Sequence, residues 1–176
     1  MITIRPIRVD DAPEFREVLD SVCRERRYLA MLEAPALERT IAFVSANVKA
    51  GHPQFVAEED GCIIGWCDAI PGAELSGSRH VGSLGMGLLK SHRGKGIGRR
   101  LIETTVGKAA ELGCEKIELG VHASNESAIA LYRSIGFVEE GRRLRNWFVD
   151  GSYDDTILMG LDLRGRNADI LTSPSP

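Results

Sequence analysis

The segment Leu88-Leu89-Lys90-Ser91-His92-Arg93-Gly94-Lys95-Gly96-Ile97-Gly98-Arg99-Arg100 sets three glycines among five lysines and arginines, where a strand-like run gives way to helical spacing. A turn of this kind leaves backbone N–H groups free. The first turn of the following helix adds four unpaired donors and a partial positive charge, so the segment suits a phosphate-like anion. Two nucleotide motifs are excluded by counting. A G-x-G-x-x-G fingerprint needs glycine where Arg99 or Leu101 stands, and no Gly-Lys-Ser or Gly-Lys-Thr occurs for a Walker loop. The alternative is structural: the glycines shape a turn, and Lys90, Arg93, Lys95, Arg99 and Arg100 form a solvated basic face.

Other residues could also do chemistry. Tyr132 offers a polar handle on an apolar ring, and Asn125, directly before Glu126, is at least a helix cap. His80 titrates in a range suited to base work, with Glu74 and His122 as weaker candidates; a structural histidine or a water relay fits the same facts. Cys23, Cys62, Cys67 and Cys114 show no C-x-x-C spacing and His52, His80, His92 and His122 form no H-E-x-x-H pair, so no metal is expected and the thiols read as free and buried.

A net charge of -3 over 176 residues gives no general attraction to nucleic acid or an anionic membrane, so any anion site must be local. At 43% hydrophobic and 27% charged the chain suits one domain, taken as residues 1–163, with a flexible tail expected over 164–176. No apolar run approaches the roughly 18 residues of a membrane span, and Met1-Ile2-Thr3-Ile4-Arg5 has no signal-peptide core, so a cytoplasmic location is expected.

The elements that must position these groups can be read from periodicity. Residues 2–8 alternate as a strand, and Asp11-Ala12-Pro13-Glu14 offers an N-cap with a carboxylate three residues on, predicting a helix to about residue 26. Pro35 suits the first turn of a second helix, whose Leu37, Ile41, Val44 and Val48 recur at helical spacing until Gly51. Strands at 54–58 and 62–69 flank Asp60-Gly61, a tight-hairpin dipeptide. After a turn-rich loop, a strand over 80–89 carries Gly82, Gly85 and Gly87, which weaken it unless it bulges or another backbone comes close. A helix over 96–112, a strand over 116–121, a helix over 125–135 and a hairpin turning at Asp150-Gly151 complete the order β-α-α-β-β-β-α-β-α-β-β. That is a mixed α/β sheet of about seven strands.

In this order the chain resembles the GNAT superfamily of acetyl-coenzyme A-dependent N-acetyltransferases over roughly residues 1–163. Arg93-Gly94-Lys95-Gly96-Ile97-Gly98 matches the family's R/Q-x-x-G-x-G/A pyrophosphate motif at every defined position. Asn125-Glu126-Ser127-Ala128-Ile129-Ala130-Leu131-Tyr132-Arg133-Ser134-Ile135-Gly136-Phe137 resembles its second signature, N-x-x-A-x-x-x-Y-x-x-x-G-F. The resemblance implies a GNAT fold in which the strand before the loop is bulged and splays from the next, leaving a V-shaped cleft for acetyl-CoA. The backbone of Met86, Gly87 and Leu88 would pair with the pantetheine arm. Arg93 and the backbone of Gly94, Lys95, Gly96, Ile97, Gly98 and Arg99 would hold the pyrophosphate, and Asn125 would contact the cofactor near its acetyl-bearing arm.

The same resemblance implies an acyltransferase in which an amine attacks the thioester directly. An alkyl amine of pKa near 10.4 must first lose a proton, at about 4.6 kcal/mol at pH 7, so a base or desolvating pocket is needed. The Leu88 N–H is implied as the oxyanion donor and Tyr132 as general acid to the leaving thiolate. Full proton transfer from tyrosine to a thiolate is uphill by roughly 2 kcal/mol, which favours a hydrogen bond. Members that acetylate ribosomal-protein N-termini carry a glutamate one residue after the Leu119 position, where this chain has Gly120. The ending over 141–159 is more like small-molecule amine acetylators, so a small primary amine is the expected acceptor. Segments 25–29 and 70–79 occupy the family's substrate side. Protein N-terminal acetylation and a non-catalytic acyl-CoA sensor stay open as alternatives, although Tyr132 argues against the sensor. Dimerisation is common in the family, while no residue pattern here demands a homodimer.

Overall fold

The computed structural model describes residues 1–164, so the tail expected over 164–176 lies outside the described residues from 165 onward. Its elements are β1 (Ile2–Pro6), α1 (Ala12–Cys23), α2 (Leu37–Ala50), β2 (Gln54–Glu59), β3 (Cys62–Pro71), β4 (Val81–Leu88), α3 (Ile97–Glu111), β5 (Lys116–His122), α4 (Glu126–Ile135), β6 (Val138–Val149) and β7 (Ser152–Asp162). The order is the expected one, with 3-10 turns added at Val9–Asp11 and Lys90–His92. The seven strands form one open sheet in the order β1-β2-β3-β4-β5-β7-β6. Every pairing is antiparallel except β4 with β5.

The β2–β3 turn forms where Asp60 (φ 50°) and Gly61 (φ 84°) both adopt the left-handed conformation that a two-residue hairpin requires. Helices then cover both faces of the sheet. Phe15, Leu19 and Val22 of α1 and Val44 of α2 pack over Val56, Ile63 and Trp66, with Phe15 meeting Trp66 edge-on at 5.6 Å. On the other face Leu101, Ile102, Ile129 and Tyr132 pack against Cys67, Ile117, Leu119 and Met159.

Five local expectations are corrected. Asp11 does not cap α1: its carboxylate takes two guanidinium nitrogens of Arg5 at 2.6 and 2.9 Å and the Arg8 N–H at 2.7 Å, while Glu14 accepts the Ile63 N–H at 2.8 Å. The first helix stops at Cys23, and Pro35 precedes the second rather than opening it. Helix α2 buries Thr40, Val44 and Asn47, leaving Leu37, Ile41 and Val48 exposed. Asn47 sets that rotation by donating to Gln54 Oε1 at 3.0 Å. Finally, Cys62 is exposed beside the hairpin turn, whereas Cys23, Cys67 and Cys114 are buried.

Candidate active site

The sheet opens along one edge of β4. Its pairing with β3 runs without a register shift from Gly65↔Leu88 to Pro71↔Gly82, whereas pairing with β5 ends at Ser83↔Glu118. The bulge expected in β4 is therefore absent, and the splay arises from loss of β5 alone. Leu89 donates to Ile64 O at 2.9 Å, and neighbouring residues of a strand point their backbone groups to opposite edges. The N–H and C=O groups of Met86 and Leu88 thus face the gap.

That gap is a cleft of about 450 Å³ lined by Met86, Gly87, Leu88, Gly94, Gly96 and Tyr132, among others. Gly94 (φ 74°) and Gly96 (φ 78°) turn the chain from β4 into α3, and a Cβ on either would meet nothing within 4 Å. The first bond of α3 runs from Arg100 N–H to Gly96 O at 3.3 Å, so the N–H groups of Ile97, Gly98 and Arg99 have no intrahelical acceptor. Free donors, a helix dipole and empty space coincide there. The side chains of Lys95 and Ile97 do not line the cleft; Lys95 is exposed and Ile97 lies in the core, so any contribution from either is its backbone. Arg99 lines the cleft, with Nη2 donating to Ser134 Oγ at 2.7 Å.

Arg93 lines the cleft, and its side chain is already engaged by protein groups. Its guanidinium donates to Glu25 and, through Nε at 3.0 Å and Nη2 at 2.8 Å, to the Leu88 carbonyl, while lying 4.7 Å over the Tyr28 ring. Engaged in this way, the side chain is turned from the loop toward the segment after α1. That segment borders the cleft through Tyr28 and Leu29, and an Arg26–Asp150 ion pair of 2.8 Å ties it to the β6–β7 turn. The loop over 70–79, expected on the substrate side, contributes no lining residue.

Asn125 and Tyr132 both reach the cleft. Asn125 Oδ1 accepts the Ala128 N–H at 3.3 Å and the Ser127 hydroxyl at 3.2 Å, leaving the amide NH2 outside the cap. Tyr132 is 7% exposed, its ring against Phe137 at 5.6 Å. Burial pushes the phenol pKa well above its ordinary value, so it stays a protonated donor.

The candidate bases fall apart. His80 is exposed at the end of β4 where β4 and β5 still pair, and its carbonyl accepts the Glu115 N–H at 2.8 Å. Leu88 stands eight residues on, roughly 26 Å at 3.3 Å per residue, so His80 lies far from the Leu88 end of the cleft. Glu74 is exposed and does not line the cleft. His122 is 5% exposed, stacked on Trp147 at 4.4 Å with Nδ1 3.5 Å from Asp154 Oδ2, and burial lowers its pKa. Trp147 gets there because β6 slips register against β7 between Arg143 and Trp147, with Arg145 at φ 50°.

Sequence reasoning passed over Asp68, whose signal is one carboxylate inside the apolar run Ile63-Ile64-Gly65-Trp66-Cys67-Asp68-Ala69. It is 8% exposed in β3, and burial pushes its pKa up to about 7. Among the described residues no group of three or more His, Cys, Asp or Glu side chains is placed to hold a metal ion.

Comparison with known proteins points the same way. MnaT, an L-amino acid N-acyltransferase of Escherichia coli, is 28% identical over 129 residues, 73% of this chain and 75% of that protein. A phosphinothricin acetyltransferase from Sinorhizobium meliloti, solved in complex with AcCoA, superposes with a TM-score of 0.87 at 25% identity over 99% of this chain and 93% of that one. A ribosomal-protein-alanine N-acetyltransferase from Brucella melitensis gives 0.84 at 27% identity over 92% and 99%. The model of the acetyltransferase (GNAT) family matches residues 13–137, a stretch that holds every residue lining the cleft, and on that ground the chain belongs to this family of acetyltransferases.

Proposed function

We propose that the protein transfers the acetyl group of acetyl-CoA to the primary amine of a small molecule. The observation that carries this reading is an unpaired β4 edge running straight into a glycine-cornered helix N-terminus. An extended chain of amides ending in a pyrophosphate fits that slot: Met86 offers its N–H and C=O and Leu88 its N–H, while Ile97, Gly98 and Arg99 offer free N–H groups. Bound acetyl-CoA supplies an activated thioester. The Leu88 N–H polarises its carbonyl oxygen, and Tyr132 donates a hydrogen bond to the sulfur as negative charge builds there.

A small acceptor is supported by the E. coli and S. meliloti relatives, whose names specify an amino acid and phosphinothricin. It is also supported by Gly120. A Cβ there would sit 3.0 Å from Thr156 Cγ2, so the glutamate of ribosomal-protein acetylators has no ready place. The likeness to the Brucella enzyme keeps peptide N-termini as a second reading. The test is calorimetry with acetyl-CoA, followed by a thiol-release screen of amino acids, polyamines, aminoglycosides and N-terminal peptides. Binding with release on a small amine supports the proposal. Failure to bind acetyl-CoA overturns it, release with peptides alone moves it to N-terminal acetylation, and binding without turnover makes the protein a sensor.

A further inference from the structure

We propose that Asp68 accepts the proton of the acceptor's ammonium group, making it the catalytic base; this rests on the reading of the cleft as an acetyl-transfer site. The placement follows from the sheet. Cys67 and Ala69 of β3 point into the core under α3, so Trp66 and Asp68 face the other side, toward α1 and α2. Register sets Asp68 opposite Gly85 and Trp66 opposite Gly87. A Cβ on Gly85 would lie 3.2 Å from Asp68 Oδ1, and Gly85 itself lines the cleft. Asp68 does not itself line the cleft, but its carboxylate lies directly over Gly85, which does.

The far bank continues the row. Parallel pairing of Ser83 with Glu118 puts Gly120 on the same face as Gly85, and Gly120 pairs in turn with Leu158 of β7. Gly85 and Gly120 therefore form a lane with no side chain of its own across the mouth of the V, with the Asp68 carboxylate at its β3 end. It lies on the face opposite α3, so an amine can approach the thioester there without displacing the pyrophosphate cradle. A carboxylate at one end of such a lane meets the nitrogen before it reaches the acyl carbon.

Asp68 lacks the partner that buried carboxylates ordinarily have. Among the described residues it forms no hydrogen bond or ion pair, and its pKa responds to burial alone. The groups facing it are neutral. Gln54 of β2 pairs with it across the strands, Gly85 comes from β4, and Asn47 of α2 occupies Gln54 Oε1. Gln54 Nε2 is buried with no partner, so this neutral neighbour does not satisfy the carboxylate either. Cys67, the adjacent titratable group, points to the opposite face. A cationic acceptor is the missing partner, and a carboxyl raised to about 7 is poised to take its proton near neutral pH.

The step balances. The ammonium gives one proton to an Asp68 oxygen, the freed lone pair forms the C–N bond, and the C–S bond breaks with its electrons on sulfur. The second nitrogen proton ends on that sulfur as the free thiol, and Asp68 returns its proton to solvent.

The test is kcat/KM against pH for the wild type and Asp68→Asn, using the most active amine from a panel of the L-amino acids, spermidine and kanamycin. Acetyl-CoA affinity is measured alongside by calorimetry. The wild type is expected to lose activity tenfold per pH unit below about 7. Asp68→Asn should lose at least about 100-fold at pH 7, and its residual rate should climb with pH toward the amine's own pKa, with acetyl-CoA affinity within about twofold. An Asp68→Asn enzyme that keeps its rate and its acid limb overturns the proposal while leaving acetyl transfer standing. If that variant fails to fold, Gly85→Ala decides: its methyl, 3.2 Å from Oδ1, should raise the amine KM with acetyl-CoA affinity kept, and an unchanged KM overturns the assignment.

Discussion

Arg93 and Glu25 meet in a two-pronged ion pair, Nη1 to Oε2 at 2.8 Å and Nη2 to Oε1, and the same guanidinium closes on the Leu88 carbonyl. The motif arginine is thus a brace between the last residue of β4 and the segment after α1. Both side chains are less than a third exposed, so removing one leaves a poorly hydrated charge behind. Arg93→Ala should cost roughly 1–3 kcal/mol in urea denaturation and raise the amine KM several-fold by freeing Tyr28 and Leu29. Arg93→Lys should recover little, because an ammonium cannot bridge two oxygens and a carbonyl in one plane. Full stability combined with lost acetyl-CoA affinity would show instead that the side chain works on phosphate.

Tyr132→Phe separates donor from packing. The ring stays against Phe137 and only the hydroxyl is lost, so stability should move by less than about 1 kcal/mol. Because burial keeps the phenol protonated, its bond strengthens as negative charge gathers on sulfur and matters little before. A fall in kcat of about 10- to 100-fold at saturating acetyl-CoA is expected, with dissociation of acetyl-CoA unchanged by calorimetry. An unaltered kcat would reduce Tyr132 to a core residue.

The parts of this site that the sequence spells out are those written in local backbone chemistry. Gly94 and Gly96 announce a turn with free N–H groups, and Asn125 announces a cap, because each acts within a few residues of itself. What stays hidden depends on register between distant strands. Asp68 matters only because β3 sets it against Gly85, and Gly87 is glycine because a Cβ there would lie 2.3 Å from Trp66, not because the strand bulges. His80 has the right chemistry at the wrong end of β4, a matter of position along the strand that residue type cannot reveal. The rotation of α2 escapes periodicity for a similar reason: the polar contact of Asn47 with Gln54 outweighs exposing Ile41 and Val48.

Asp68 and His122 should bend the stability profile in opposite senses. Burial raises the Asp68 pKa from 3.8 to about 7, so the folded state binds that proton more tightly than the unfolded chain. Its contribution is full below about pH 4 and is lost as pH rises through about 7. For His122 burial lowers the pKa below 6.5, so stability is full above that value and falls as pH drops through the folded pKa. Asp68→Asn should therefore melt higher than the wild type at pH 8, with the gain vanishing near pH 4. At 1.36 kcal/mol per unit the ceiling of that gain is about 4 kcal/mol. A melting difference independent of pH would mean the carboxyl is solvated rather than buried.

Gly96→Glu tests the cradle directly. At φ 78° any other residue is strained, which costs on the order of 1–2 kcal/mol whatever the side chain. No protein atom lies within 4 Å of a Cβ there, so the glutamate enters open space in front of the N–H groups of Ile97, Gly98 and Arg99. In that position its carboxylate takes the donors proposed for the pyrophosphate and repels phosphates as well. Gly96→Ala carries the same backbone strain without the charge. Both variants should melt lower by a similar amount, but acetyl-CoA dissociation should rise less than about tenfold for alanine and more than about 100-fold for glutamate, a gap of at least one further factor of ten, or about 1.4 kcal/mol of electrostatic and blocking effect. Equal losses in the two variants would place the effect in the shape of the turn rather than in its free donors.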